Sequence, residues 1–416
     1  MKTVGIIAEY NPFHNGHLYQ LNKARECTGA DYAVIVMSGD YTQRGQPTIY
    51  AKSMRARCAL LSGADLVIEM PVFGSVASAA DFAECGVSLL NEMGIVDTLC
   101  FGSECGDPDL LMNRAALLSE ETPEISLLIK KYLKAGLTWP KAREQAYQAF
   151  YADFSIHSPN DILAVEYIRA LKKLRSPIRP AAIRRIGPGY HSLQNDGSFA
   201  SATAVRAAIL NGDTAFQQSA LPASFWTSRA VEYSTEIGFD DFSLLLNQKL
   251  LSMTPDAVRL VSQMPESLAR KLYRERLHFL SASGRAAASK DRQYTYTRVC
   301  RCLMNVILSI TKDDTEQFKA FRSAPWIRVL GFRRSAAPLL SLLNQNARVP
   351  VITKTAAAGK TLSGARAALF EKHLQASELY RMIGEAKCSG HCLHNTPQNT
   401  AGQTGKNEFT RPLIII

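Results

Sequence analysis

The first hundred residues alternate two kinds of apolar pattern. Thr3 to Glu9, Asp31 to Met37, Asp65 to Met70 and Val96 to Phe101 are short, nearly continuous apolar runs, the pattern of strands buried on both faces. Between them, the stretches 17–29, 51–63 and 75–93 are rich in Ala and Leu at helical spacing. Such a β-α-β-α series predicts an α/β fold, a parallel sheet covered by helices. Residues 107–150 carry no strand pattern and read as a helical insertion. Ser158-Pro159-Asn160-Asp161 then supplies an N-cap with proline in the first turn, and Ile178 to Ile186 reads as a further strand. A helix is expected over Thr203 to Leu210, and from about Asp213 the pattern is dominantly helical as far as residue 385. A polar stretch, Ser389 to Lys406, precedes a candidate strand at Phe409 to Ile416, and no internal repeat is visible.

At 416 residues the chain is long enough for two or three domains, so a single small binding module is excluded. The expected division is a sheet domain over 1–212 and a mainly α-helical domain over 213–416. Hydrophobic residues at 46% and charged residues at 20% describe an ordinary globular chain. No apolar run is long enough to span a bilayer, and the N-terminus enters a strand pattern without a signal-like segment, which together predict a cytoplasmic protein with no membrane partner. Nine cysteines, an odd number lying mostly inside apolar runs, read as reduced core thiols. The net charge of +11 is unevenly held: residues 1–210 balance 21 basic against 21 acidic side chains, whereas residues 211–416 carry 27 against 16. A neutral half joined to a basic half points to a catalytic domain beside one that meets a polyanion, with a merely solvated basic face as the plainer alternative.

The sharpest chemical signal is Glu9-Tyr10-Asn11-Pro12-Phe13-His14-Asn15-Gly16-His17, placed where the first strand gives way to the first helix. Ligands of an open α/β sheet bind beyond the carboxyl ends of its strands, where a helix N-terminus offers free N–H groups to an anion. Two imidazoles at that mouth can stabilise charge growing on phosphate oxygens in a transition state. Elsewhere in a chain the same pair reads as turn or capping histidines. A second element, Ser201-Ala202-Thr203-Ala204-Val205-Arg206, opens a helix with two hydroxyls and an arginine able to fold back over an anion. Alone it is an ordinary helix start; paired with the first motif it reads as a second phosphate grip.

The first motif resembles the H-x-G-H of the nucleotidyltransferase superfamily, and Ser201 to Arg206 is similar to that superfamily's second phosphate motif. With Met37 to Gly45, Gly63 to Pro71, Phe101-Gly-Ser-Glu104, Ser158 to Ile162, Tyr190-His191-Ser192 and Phe409-Thr410, the pattern resembles the bacterial tRNA(Met) cytidine acetate ligase family. The resemblance implies a Rossmann-like catalytic domain in which ATP and acetate form acetyl-adenylate, with transfer of the acetyl group to N4 of the wobble cytidine of elongator tRNA(Met). On this resemblance His14 and His17 are the catalytic pair, and Ile7, Ala8, Glu9, Tyr10, Asn11, Pro12, Phe13, Asn15 and Gly16 line the nucleotide. Gly102, Asn160, Arg185 and Ile186 are expected on its adenosine side, and Ser201, Thr203 and Arg206 on its phosphates. Lys52 and Arg44 are further candidate phosphate contacts. Magnesium is expected on the nucleotide, without a protein ligand cluster.

In the basic half, residues 270–301 hold nine Lys and Arg against two acids, interleaved with three tyrosines. Cations for phosphates and aromatics for unstacked bases are what an RNA loop requires. Arg270, Lys271, Arg274, Lys290, Arg292, Tyr294 and Arg298 are therefore the expected tRNA contacts, although any one of the tyrosines also fits a helix core. Cys388, His391, Cys392 and His394 crowd four soft ligands into seven residues, but the spacing is not that of a structural zinc site. Two rival readings stay open at this point. One is an adenylyltransferase making a small adenylylated cofactor; the other is a non-catalytic RNA-binding protein.

Overall fold

Along β2 (Tyr32–Ser38) the side chains of Val34 and Val36 enter one core while Ala33, Ile35 and Met37 enter another, all fully buried. A strand covered on both faces belongs in the middle of a three-layer α/β structure, and there it lies. The computed structural model describes residues 1–156, 158–185, 199–232, 235–392 and 406–416, with only the backbone at 389–392. β1 (Thr3–Ala8), β3 (Leu66–Met70), β4 (Thr98–Ser103) and β5 (Arg179–Arg184) join β2 in the order β5-β4-β1-β2-β3, all parallel. This is the Rossmann-like sheet that the sequence pattern predicts, and each expected strand in the first half falls within two residues of its place.

The sheet does not stop at β3. β6 (Ile327–Phe332) pairs antiparallel with it, β7 (Val351–Ile352) pairs with β6, and β8 (Ile414–Ile415) lies parallel to β6. The pattern from 213 to 385 is dominantly helical and gives no sign of β6 or β7. The six residues IRVLGF have a strand's composition, but their partner β3 is some 260 positions upstream and no local turn announces the pairing. Only Ile414–Ile415 of the candidate strand at 409–416 is a strand.

One face of the sheet is covered by helices Ala79–Met93 and Pro159–Lys173 together with the insertion, which forms three helices, Pro108–Ser119, Pro123–Lys134 and Trp139–Gln148. The other is covered by helices Asn15–Thr28, Lys52–Leu61, Ala202–Leu210 and Ala223–Val231. A further core gathers the second-half helices around Leu246, Leu272, Leu303 and Trp326, and it meets the sheet side at Tyr41, Val72 and Phe73. Among the described residues no helix is long and apolar enough to cross a membrane. Of the eight cysteines described, all are free and five are buried.

Candidate functional site

The strand order turns at β1, whose neighbours are β4 on one side and β2 on the other. That reversal opens a crevice beyond the carboxyl ends of β1 and β4. The first helix, Asn15–Thr28, starts at its floor with His14 as N-cap. Gly16 N–H donates to His14 Nδ1 at 3.1 Å, and His14 N–H donates to His17 Nδ1 at 3.3 Å. The reciprocal pair is a capping box built from two imidazoles, and it fixes chemistry as well as geometry. Because each Nδ1 accepts, each neutral ring carries its proton on Nε2. The rings stack at 3.8 Å between centroids. Gly16 is required because a Cβ there would sit 2.9 Å from His14 Cε1. Burial, then the charges of Arg185 and Arg206, push the His14 pKa down to about 3. Burial, His14 and Arg185 likewise hold His17 well below its ordinary value. Both are neutral donors at physiological pH.

The second motif closes over the first. Ser201 caps helix Ala202–Leu210 by accepting from Ala204 N–H at 3.2 Å. Arg206, one turn in, donates to the Asn11 carbonyl at 2.8 Å and to Thr203 Oγ1 at 3.1 Å. Burial first, then Arg44, lower its pKa to about 10, so it stays charged at neutral pH. Asn11 in turn accepts from Ile49 N–H at 2.8 Å.

Glu104, just past β4, organises the opposite rim. Its carboxylate accepts from Asn160 Nδ2 and from Ser158 Oγ, the latter at 2.6 Å, and faces Arg185 Nε at 3.8 Å. Asp161 accepts from Ser103 Oγ and, at 3.0 Å, from Glu104 N–H. Gly102 lies beneath the Arg185 side chain, whose Cγ would be 3.3 Å from a Cβ at that position.

The two histidines, Arg206, Gly102, Asn160 and Arg185 line one cavity of about 1260 Å³, with Glu104 and Asp161 bracing it from behind. Ile7, Ala8, Glu9, Tyr10, Asn11, His14, His17, Gly102, Asn160, Arg185, Ser201, Thr203 and Arg206 are on its wall, as is Arg44. Pro12, Phe13, Asn15 and Gly16 are not on that wall. Phe13 is a core residue packed edge-on to Tyr10, and Asn15 donates to the Ser219 carbonyl at 2.8 Å. Ile186 and the Tyr190–Ser192 run lie outside the described residues, as does His394, and of His391 and Cys392 only the backbone is described. Lys52, expected as a phosphate contact, is instead buried away from the cavity. Its Nζ lies 2.7 Å from Glu69, 3.1 Å from Glu408 and 3.6 Å from Asp40, where buried carboxylates demand a counter-charge. Arg328 completes the cluster by pairing with Glu69 and Glu408. Among the described residues no group of three or more His, Cys, Asp or Glu is gathered that could hold a metal ion.

The basic half reaches the same cavity. Gln263, Gln293, Thr295, Thr297, Arg298 and Arg301 form part of its wall. Of the other expected RNA contacts, Arg270 and Arg274 are exposed on helix Glu266–Arg274, with long ion pairs to Glu266 at 3.8 Å and Glu275 at 3.7 Å. Lys290 and Arg292 are exposed, while Lys271 is half-buried and donates to the Ala288 carbonyl at 2.6 Å. Tyr273, Tyr294 and Tyr296 all pack against the second core, with Arg276 over Tyr273 and Arg298 over Tyr294.

Two site-building residues escaped the sequence reading. Glu104 had a visible signal, since it ends the Phe101-Gly-Ser-Glu104 run. Arg55 had none: fully buried, it donates to the carbonyls of Glu9 at 2.7 Å, Ser38 at 3.1 Å and Tyr50 at 3.0 Å and to that of Gly39, tying the ends of β1 and β2 together.

The HIGH Nucleotidyl Transferase family matches residues 1–394. Among curated proteins, the chain is 35% identical to the tRNA(Met) cytidine acetate ligase of Acetivibrio thermocellus, with all of both chains covered. It is 36% identical to that of Thermoanaerobacter sp., over 92% of this chain and 95% of the relative. The chain belongs to the tRNA(Met) cytidine acetate ligase family. Thermotoga maritima TmcAL bound with alpha-thio ATP is 27% identical, with full coverage of both chains and a TM-score of 0.88, and its apo form gives 0.90. The Rossmann-like sheet, the paired histidines and the extra strands of the second half are thus the setting of a tRNA(Met) cytidine acetate ligase fold.

Proposed function

We propose that the protein is an ATP-dependent ligase that activates acetate as acetyl-adenylate and passes the acetyl group to N4 of the wobble cytidine of elongator tRNA(Met). The observation that carries this reading is the stacked, neutral His14–His17 pair at a helix N-terminus, inside a cavity walled on one side by the nucleotide motifs and on the other by the basic half. In the first step an acetate oxygen bonds to the α-phosphorus and pyrophosphate leaves. The Nε2–H groups of His14 and His17 stabilise the charge that grows on the phosphate oxygens, and Arg206 and Thr203 hold the leaving pyrophosphate portion. Neutral donors suit this role, because they strengthen as charge develops without binding the ground state as tightly as a cation does. Asn160, Arg185 and the backbone at Gly102 hold the adenosine side. Magnesium neutralises triphosphate charge and would travel on the nucleotide.

In the second step the cytidine N4 bonds to the acetyl carbon, the bond from that carbon to the AMP oxygen breaks, and one N4 proton is released. Acetyl-adenylate already carries a good leaving group, so positioning supplies most of what the protein must add. The test is incubation with ATP, labelled acetate and bulk tRNA, followed by digestion to nucleosides. Label in N4-acetylcytidine, lost in His17→Ala, is the expected result. A stable adenylylated small product in its place favours an adenylyltransferase, and ATP binding with no acetate transfer overturns the proposal.

A further inference from the structure

The cavity has a wall supplied by the basic half, apart from both phosphate motifs. Helix Tyr296–Leu308, capped by Thr295, presents Arg298 and Arg301 to the space that His14 and His17 line. Two hydrogen bonds tie this wall to the end of β1. Gln43 N–H donates to the Glu9 carboxylate at 2.7 Å, and Arg301 donates to the Gln43 carbonyl at 3.3 Å. Arg301 also donates to Gln263 Oε1 at 3.0 Å, and Gln263 donates to the Val76 carbonyl at 2.7 Å, so both side chains are framework. The junction is tight at Gly45, where φ is +74° and a Cβ would fall 2.2 Å from the Arg301 nitrogen.

Arg298 differs from its neighbours. Its guanidinium lies 5.1 Å from the centroid of the Tyr294 ring, whose hydroxyl is fixed 2.7 Å from Ser267 Oγ. Among the described residues that guanidinium has no acidic partner and no hydrogen-bond acceptor. A planar fork of donors, steadied by an aromatic ring and bordering open space, is built to meet two adjacent acceptors.

We propose that Arg298 reads the N3 and O2 acceptors of the target cytosine, in a base subsite formed where the basic half meets the nucleotide site. The inference rests on the acetate-transfer reading above. For N4 to bond to the acetyl carbon, the amine must face the adenylate, so the base has to be recognised by donors on the rest of its pairing edge. Cytosine offers N3 and O2 there, side by side and both acceptors. Uracil offers N3–H in place of the first and meets a guanidinium donor to donor. A splayed-out anticodon base exposes this edge, whereas a paired one hides it.

The test uses two synthetic anticodon stem-loops, one with cytidine at the wobble position and one with 3-deazacytidine, which carries C–H where N3 was. The ratio of acetyl transfer to the two is measured within each variant, so any loss of folded enzyme cancels, and comparison between variants removes the intrinsic reactivity of the two bases. The wild-type ratio is expected to exceed that of Arg298→Ala by roughly 10- to 150-fold, the worth of the one charge-assisted hydrogen bond that the deaza base loses. Arg298→Lys, which keeps the charge but loses the fork, is expected to behave nearly as the alanine variant. Equal ratios in wild type and Arg298→Ala overturn the assignment. Acetate-dependent ATP–pyrophosphate exchange by the wild type is measured alongside. Its absence defeats the acetate reading and this inference with it, while exchange with equal ratios defeats the base-reading role alone.

Discussion

The Arg206 guanidinium donates to the main-chain carbonyl of Asn11 at 2.8 Å, joining two segments 195 positions apart. The second phosphate motif is therefore fastened to the first before any ligand arrives. Arg206→Ala removes both the fastening and a cation near the phosphates. It is expected to weaken nucleotide binding by about 10- to 100-fold, the worth of a charge-assisted contact, as read by equilibrium titration with ATP. A smaller effect in Arg206→Lys than in Arg206→Ala separates charge from the bidentate geometry.

His17→Ala is expected to lower the rate of adenylate formation by roughly 10²- to 10³-fold, the usual cost of removing one transition-state donor. His14→Ala removes a helix cap as well, and should also destabilise the fold by about 1 kcal/mol. Pyrophosphate exchange and urea denaturation measure the two effects separately.

The pH dependence follows from the same pair. His14 has a folded pKa of about 3 against 6.5 unfolded, so between those values the unfolded chain binds more protons. Its contribution to stability is full above pH 6.5 and is lost progressively as the pH falls through that window. Because neither ring charges near neutrality, the pH–rate profile of adenylation should show no inflection near 6.5 from His14 or His17. A clear inflection there that disappears in His17→Ala overturns the neutral-donor role.

The cluster around Lys52 makes a separate prediction. Burial alone would raise the Glu408 carboxyl, but Lys52 and Arg328 outweigh it and bring its pKa down to about 2. The stability this carboxylate contributes is present above the unfolded value of 4.5 and fades as the pH falls toward 2. Lys52→Met leaves Glu69 and Glu408 short of a cation and is expected to cost about 3–5 kcal/mol, measured by denaturation. Were Lys52 a phosphate ligand, the variant would instead keep its stability and lose affinity for ATP.

On the exposed face, Arg270→Ala with Arg274→Ala should weaken tRNA binding and flatten its salt dependence. Losing two phosphate contacts lowers the slope of log K against log salt by about 1.5–2. An unchanged slope returns these residues to a solvated surface.

What the sequence made legible was local. Strand runs such as TVGIIA and the capped starts at Ser158 and Ser201 carry their signal within a few residues, whereas the first helix begins at Asn15, two residues before the expected 17–29, with His14 as its cap. What it concealed depends on distant partners. Lys52 reads as a loop cation until β3 and the segment around Glu408 are folded against it, and Arg55 serves four carbonyls that no motif links. The three tyrosines of the basic stretch fit either stacking platforms or a helix core, because composition does not distinguish an exposed ring from one packed on a core.

β6 and β8 reach the sheet from far along the chain, and Glu408 supplies one of the charges that Lys52 needs. Translation runs the other way, delivering β1 to β5 first. A ribosome paused before residue 332 holds a nascent sheet whose β3 edge is unpaired and whose Lys52 lacks Glu408 as counter-ion. The nucleotide crevice can be outlined at that stage, but its outer edge is sealed only by residues made well after β5. Incomplete chains should therefore be substrates for proteases and chaperones rather than half-active enzymes.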